Sequence, residues 1–211
     1  MKSLIIVSGG MDSITLLYDK KPDAALSFNY GSKHNEKELY FAAYHCKQLN
    51  IPHKIIKLDF INKLFKSDLL QSGGEIPEGH YEDESMKRTV VPFRNGIMLS
   101  IACGYAESIE CDEVMLANHA GDHAIYPDCR GSFIESMNDA MSNGTYRNIS
   151  INAPYTKIDK RMIGLIGHGL GVDFSKTWTC YKGKDFHCGK CGSCTERKEA
   201  LAGFDNTEYQ I

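Results

Sequence analysis

The stretch Leu4-Ile5-Ile6-Val7-Ser8-Gly9-Gly10-Met11-Asp12-Ser13 decides how this chain is to be read. Its first four residues are apolar and the next three are Ser, Gly and Gly. That pattern reads as a buried strand running into a tight turn. Residues 12–20 then read as a helix, with Ile14, Leu16 and Leu17 in its apolar surface. Paired glycines at a strand-to-helix turn let the backbone take positive φ and approach a ligand closely. N–H groups at the helix start favour an anion, and Ser8 and Ser13 add hydroxyl donors. Asp12 brings negative charge to this cradle, an oddity that a divalent cation or a helix cap resolves. The plainer alternative is a tight turn in which Asp12 or Ser13 caps the helix. Neither G-x-x-x-x-G-K-[ST] nor G-x-G-x-x-G is present.

Outward from this start, short β-branched or apolar runs alternate with helix-like stretches. This predicts an α/β fold with a mostly parallel sheet and helices on both faces. Further strands are expected at residues 24–28, 54–58 and 113–117. Helices are expected at 36–49, 95–108, 131–142 and 159–169. Residues 72–87 are polar and acidic, with three Gly and one Pro, and read as a mobile loop of the lid or binding type. Residues 118–130 read as a polar loop at a strand end. The division expected is an α/β domain over 1–176 and a small cysteine-rich appendage over 177–211.

With 211 residues the chain has room for one sizeable core and a small appendage. A net charge of −3 argues against a dedicated nucleic-acid binder, which carries a basic surplus. No apolar run approaches the roughly 18 residues of a membrane span. The apolar start ends too soon, in Ser8-Gly9-Gly10, to be a signal peptide. The expected location is the cytoplasm.

The eight cysteines are unevenly spread. Cys46, Cys103, Cys111 and Cys129 are scattered, whereas Cys180, Cys188, Cys191 and Cys194 crowd near the end. This is not a secreted disulfide framework. Compact C-x-x-C knuckles closed by a more distant cysteine fit tetrahedral thiolate ligation of Zn²⁺, with no open position and hence a structural role. Free thiols and an iron–sulfur cluster are the alternatives. Lys182, Lys184, Lys190, Arg197 and Lys198 either offset the charge of a zinc tetrathiolate or form a solvated surface.

Ser8-Gly9-Gly10-Met11-Asp12-Ser13 resembles the S-G-G-x-D-S pyrophosphate loop of the ATP pyrophosphatase superfamily at every defined position. Asparagine synthetases, GMP synthetases and tRNA thiolases belong to that superfamily. The resemblance narrows with Phe28-Asn29-Tyr30-Gly31-Ser32-Lys33-His34, Val91-Pro92-Phe93-Arg94-Asn95 and Tyr126-Pro127-Asp128-Cys129-Arg130. The closing segment is Thr177-Trp178-Thr179-Cys180-Tyr181, then Cys188-Gly189-Lys190-Cys191-Gly192-Ser193-Cys194 and Arg197. In order and spacing these resemble the 7-cyano-7-deazaguanine synthases almost end to end. The resemblance implies a Rossmann-like doubly wound fold, ATP, Mg²⁺, structural Zn²⁺ and a homodimer. It implies conversion of 7-carboxy-7-deazaguanine and ammonia to the nitrile through an adenylated carboxylate and an amide. It also implies a product that feeds tRNA or DNA modification.

Residue by residue, Ser8, Gly9, Gly10, Asp12 and Ser13 carry over as the ATP-binding loop. Lys160 matches a family lysine at a helix start that reaches a phosphate, or is a surface lysine. Arg94 and Asn95 open an apolar helix. Arg94 is the candidate partner of a carboxylate or phosphate, the alternative being a local salt bridge. Asp122, His123, Asp128 and Arg130 follow a strand end, where α/β sheets bind ligands, and are the candidate deazaguanine-binding residues. His119 with His123 is a weak metal pair, and Cys129 a weak nucleophile. No residue stands out as a general base. Three departures from the family pattern stand beside these elements: Phe93 where Gly is commoner, Arg161-Met162 where Ala-Glu is commoner, and the start of Asn118-His119-Ala120-Gly121-Asp122-His123. They motivate a rival in which the adenylate passes to an amine on a protein or other molecule, as in phage defence. A zinc-knuckle RNA-binding protein is the rival from another class. A tRNA thiolase would need an RNA-binding domain, and a glutaminase domain also finds no room, so ammonia is free or partner-supplied.

Overall fold

β1 (Ser3–Ile6) is buried along its whole length, as expected of a strand covered on both faces. In the computed structural model, which describes residues 1–210 (Ala124 in backbone only), it lies at the centre of a five-stranded sheet. The order is β3 (His53–Lys57), β2 (Ala24–Asn29), β1, β4 (Glu113–Met115), β5 (Ser150–Asn152). Every pairing is parallel, with Leu4 opposite Ala24 on one side and Val114 on the other. β3 forms one edge and is half exposed, with Lys54 and Lys57 turned outward, charges that blunt an open edge.

Alternate residues of β1 serve opposite cores. Leu4 and Ile6 pack with Leu26, Phe28 and Val114 against α4 (Arg94–Ser108) and α5 (Gly131–Asn143), through Leu99, Ala102, Ala106, Ile134 and Met141. Ile5 and Val7 pack with Met115 against α1 (Met11–Lys20) and α6 (Lys160–Gly169), through Met11, Ile14, Leu17 and Ile163. The starts of α2 (Asn35–Gln48), α4 and α6 gather at the C-terminal edge of the sheet. The expected Rossmann-like doubly wound sheet is the observed one.

The segment from Thr177 onward packs back on this body. Trp178, Cys180, Cys188, Cys191 and Cys194 join the same core as Leu4 and Leu99. This segment also contains α7 (Gly192–Ala200), while α3 (Asp59–Leu64) follows β3. Neither helix, nor β5, is evident from apolar periodicity. The segment 72–87, expected as a mobile loop, is instead docked: Tyr81 and Met86 are buried, and a 3-10 turn runs over Glu84–Thr89. Among the described residues, no helix is long and apolar enough to cross a membrane.

Candidate active site

β1 lies between β2 and β4, so the sheet order reverses there, the position at which open α/β sheets bind ligands. A cavity occupies it, walled by the glycine loop, the starts of α2, α4 and α6, the segment after β4 and residues between 178 and 193.

The loop conformation follows from its small residues. Gly9 has φ +100°, and a Cβ there would collide with the Glu38 carbonyl of α2, so both backbone angle and space require glycine. Ser13 Oγ accepts from the N–H of Ser8 at 3.2 Å and of Gly9 at 3.3 Å. From the other side, the Trp178 N–H donates to the Gly9 carbonyl at 2.9 Å. Gly10 is the N-cap of α1 and provides no side-chain cap, so neither Asp12 nor Ser13 plays that part. Gly10, Met11, Asp12 and Ser13 form part of the cavity wall. A helix start without a cap in such a wall suits an anion.

Asp12 Oδ2 lies 3.2 Å from Lys160 Nζ, while its Oδ1 is buried without a hydrogen-bond partner. An orphaned carboxylate oxygen beside an anion site fits a hard divalent cation such as Mg²⁺. Lys160 is buried at the first position of α6. Its Nζ donates to Glu196 Oε2 at 2.7 Å and lies 5.6 Å from the Tyr81 ring centroid. Burial works against its charge, but Asp12 and Glu196 outweigh that and hold it protonated. Burial pushes Glu196 up, against the pull of Lys160 and His119.

His119 Nδ1 accepts from the Gly121 N–H at 3.1 Å, which leaves the ring proton on Nε2. That proton faces Asp122 Oδ1 at 3.4 Å and Glu196 Oε1 at 3.8 Å. The contact of Nε2 with Lys160 Nζ at 3.5 Å therefore joins two donors and is no hydrogen bond. Asp122 lines the cavity and accepts from Tyr81 Oη at 3.0 Å.

Across the cavity, Arg94 donates through Nη1 to Tyr30 Oη at 3.1 Å, its guanidinium 5.5 Å from that ring centroid. It makes no ion pair with a carboxylate of the described residues, so the local salt bridge considered from sequence is not formed. Asn95 lines the cavity too. Its backbone N–H donates to Asp128 Oδ2 at 2.8 Å and its Nδ2 to the Asp128 carbonyl at 3.2 Å. Asp128 thus satisfies a donor at the start of α4 and lies behind the wall. His123 and Arg130 also lie outside the wall, joined by Arg130 Nε to the His123 carbonyl at 3.1 Å.

Phe93 precedes α4 with φ +53°, in the left-handed region, where the glycine common in the family would be unstrained. Its ring is 57% exposed and packs edge-on against Phe133, so it forms no pocket floor. Arg161 donates to the carbonyls of Ala200 at 2.9 Å and Ala202 at 2.7 Å, and Met162 is exposed. Of the three departures, Asn118 is the one that lines the cavity. Cys129 lines it as a thiol pushed up by burial, a poor nucleophile.

The wall also holds Tyr30, His34, Glu38, Tyr81, Tyr126 and Tyr181, none of them singled out from sequence. Tyr126 and Tyr181 pair through their hydroxyls at 3.1 Å. Burial raises Tyr81 and Tyr181, which keeps those hydroxyls protonated. Tyr30 and His34 belong to the stretch resembling the family and could have been flagged there. Nothing in the polar run around Tyr81 marks it.

The four clustered cysteines are all buried, and their sulfurs lie within 4.8 Å of one another. Cys188 and Cys194 sulfurs are 3.9 Å apart, close to the roughly 3.8 Å that tetrahedral Zn–S bonds of about 2.3 Å require. The N–H groups of Cys188 and Cys191 point at the sulfurs of Cys180 and Cys188, both at 3.3 Å, and such donors stabilise thiolates. The donor set fits a metal ion. Of the basic residues nearby, Arg197 is fully buried on neutral acceptors, while Lys184 and Lys190 are exposed.

Comparison with known proteins agrees with this arrangement. A family profile described as "Queuosine biosynthesis protein QueC" matches residues 2–205. A 7-cyano-7-deazaguanine synthase of Porphyromonas gingivalis is 60% identical over 99% of this chain and 97% of its own length. One from Desulfotalea psychrophila is 53% identical over 99% of both chains. Among solved structures, NMN synthetase from Francisella tularensis matches 87% of this chain and 68% of its own at 12% identity and a TM-score of 0.48, too distant to bear on the site. The chain belongs to the QueC family, together with the 7-cyano-7-deazaguanine synthases that resemble it from end to end.

Proposed function

We propose that this chain is a carbon–nitrogen ligase that converts 7-carboxy-7-deazaguanine, ATP and ammonia to 7-cyano-7-deazaguanine. One observation carries the reading beyond kinship. A glycine loop with an uncapped helix start and an arginine without a carboxylate partner face one cavity. The first suits the phosphates of ATP, and the second a substrate carboxylate or the α-phosphate it attacks.

The substrate carboxylate oxygen attacks the α-phosphate, forming an acyl-adenylate and expelling pyrophosphate. Ammonia attacks the acyl carbon, and loss of a proton and AMP leaves the amide. The amide oxygen then attacks the α-phosphate of a second ATP and expels a second pyrophosphate. Departure of AMP with loss of the N–H protons gives the nitrile. Ser8, Gly9, Gly10 and Ser13 form the loop that holds the leaving pyrophosphate, with donors from the serine hydroxyls and the uncapped first turn of α1, and Lys160 supplies a protonated amine beside them. Mg²⁺ on the free Asp12 oxygen would spread the pyrophosphate charge. Asn95, Asn118 and Asp122 offer amide and carboxylate groups to the guanine-like edge, with Tyr126 and Tyr181 as an aromatic wall. His123, Asp128 and Arg130 support this pocket from behind. Cys180, Cys188, Cys191 and Cys194 hold Zn²⁺ in a structural role. Residues 1–176 form the α/β domain and 177–211 the zinc-binding segment, which completes the cavity wall through Trp178, Thr179, Tyr181 and Ser193, and the active species is a homodimer. A reduced, ATP-containing cytoplasm suits eight free cysteines.

The test is incubation with ATP, Mg²⁺, ammonia and 7-carboxy-7-deazaguanine, read by mass spectrometry. Amide should appear first and nitrile after it, with AMP and pyrophosphate. ADP and phosphate as the sole nucleotide products would sink adenylation. An adduct on a partner protein, without amide or nitrile at high ammonia, would replace ammonia as acceptor. Arg94→Ala should lower turnover at least about 100-fold while ATP binding is largely kept, since it removes a charge-assisted fork worth a few kcal/mol.

A further inference from the structure

We propose that Glu196 is a positioning residue for Lys160, and that the cysteine knuckle, by fixing α7, sets this ammonium against Asp12 at the glycine loop. The inference rests on the reading of Lys160 as the amine beside the phosphates. Four groups surround Lys160 Nζ: Asp12 Oδ2 at 3.2 Å, Glu196 Oε2 at 2.7 Å, His119 Nε2 at 3.5 Å and the Tyr81 ring at 5.6 Å. Only Asp12 belongs to the glycine loop.

Glu196 is delivered by the knuckle. Cys191 is the N-cap of α7, and Cys194 and Thr195 N–H groups donate to its carbonyl at 2.9 and 3.0 Å. The first turn of α7 is therefore shaped by residues whose sulfurs form the cluster. Glu196 follows Cys194 by two positions and is carried toward α6.

Tyr81 arrives the same way. Gly79 donates to the Lys190 carbonyl at 3.1 Å, and Glu78 forms an isolated antiparallel bridge with Cys191. A Cβ on Gly192 would press on Tyr81 Cα and Met86 Sδ, each at 3.0 Å. The knuckle thus holds Glu196, the carboxylate that restrains Lys160 from the side away from the loop, and Tyr81, whose ring lies beside it.

The chemical consequence concerns partner exchange. Bridging two carboxylates, the ammonium can give up Asp12 to an arriving phosphate or cation and still remain anchored. With Asp12 alone, it would collapse onto that carboxylate or swing free. Knuckle order and nucleotide binding are then thermodynamically linked, and the linkage is reciprocal.

The test uses the full-length zinc-loaded protein and the variants Glu196→Gln, Lys160→Met and the double variant. Pyrophosphate release gives kcat and KM for ATP. Transfer of zinc to a chelator is timed with and without a non-hydrolysable ATP analogue. Glu196→Gln should retain zinc and fold but lose turnover about 10- to 100-fold, the cost of misplacing a catalytic group by roughly 1 Å. The double variant should be no slower than Lys160→Met, because coupled residues are non-additive. The analogue should slow zinc release about fivefold or more from wild type and not from Glu196→Gln. Wild-type kinetics in Glu196→Gln, full additivity, or equal slowing of zinc release in that variant would overturn the proposal. Should Glu196→Gln fail to hold zinc, Glu196→Asp keeps the charge one methylene short. Zinc retention with reduced turnover supports the proposal, and full turnover overturns it. The zinc-release arm needs nucleotide binding alone, so it decides Glu196 even if wild type yields no pyrophosphate, a result that would count against adenylation.

Discussion

Phe93 and Gly9 both have positive φ, +53° and +100°, yet their surroundings differ. Around Gly9 the α2 backbone closes the space a Cβ would need. Around Phe93 the side chain is free to leave, and it does. The left-handed conformation costs a non-glycine residue about 1–2 kcal/mol, and the edge-on contact with Phe133 returns about 0.5–1.5 kcal/mol. Phe93→Gly should therefore change stability by no more than about 1 kcal/mol and leave turnover unchanged. Denaturant midpoints and pyrophosphate release measure both, and a tenfold loss of turnover would put the ring at the reacting groups. The need for positive φ was visible in sequence as a departure from a family glycine. Which way the ring points was not, because that depends on Phe133 and Gly96 from α5 and α4. Glu196 was hidden for a similar reason: its importance comes from Lys160, 36 positions away.

At the scale of elements, α4 shows what local pattern reveals and what it omits. Its apolar run from Ile97 to Ala106 marks a helix, and the observed Arg94–Ser108 differs from expectation by one residue at the start. What fixes that start is remote: Asp128 Oδ2 takes the Asn95 N–H at 2.8 Å. A carboxylate at a helix start is worth about 0.5–2 kcal/mol. Asp128→Ala should cost about that much stability and raise KM for the deazaguanine more than for ATP, because it loosens the turn that carries Arg94. Equal effects on both substrates would show that Asp128 acts on the whole site rather than on α4. β5 and α7 escaped the sequence for physical reasons. β5 is three residues, Ser-Ile-Asn, with no run to detect. α7 has only polar or small residues and is held by the knuckle rather than by an apolar stripe. The segment 72–87 looked like a free loop because the groups that bind it, Lys190, Cys191 and Gly192, lie more than a hundred residues later.

For the molecule as a whole, two linkages join distant parts of the chain, one through protons and one through metal. His45 Nε2–H donates to the Lys176 carbonyl at 2.9 Å, and its Nδ1 accepts from Tyr18 Oη at 3.0 Å. A second proton, on Nδ1, would have to reverse the Tyr18 hydrogen bond, and burial lowers both His45 and His53 from the ordinary 6.5. Below that pH the unfolded chain binds protons that the folded chain still refuses. Stability from these groups is thus complete above about pH 6.5 and declines as pH falls toward the lowered folded values. The melting temperature should fall from pH 7 to 5, and His45→Gln should flatten the slope; a variant as steep as wild type would remove His45 from the account. The second linkage runs through the cysteine cluster, whose donor set fits a metal ion. Trp178, the sole tryptophan, donates to the Gly9 carbonyl at 2.9 Å and to the Cys180 carbonyl at 2.8 Å. It joins the glycine loop to the first cysteine of the knuckle. The cysteines share a core with Leu4 of β1 and Leu99 of α4, so four buried thiolates without their metal would leave repelling charge or unbonded thiols inside the main body. Metal ligation is then folding free energy for the sheet as well as for the C-terminal segment. Chelation should lower the melting temperature of the entire protein, with Trp178 fluorescence and far-UV circular dichroism changing together. An early fluorescence change followed by a separate melt of the sheet would show instead that residues 177–211 unfold as a unit of their own.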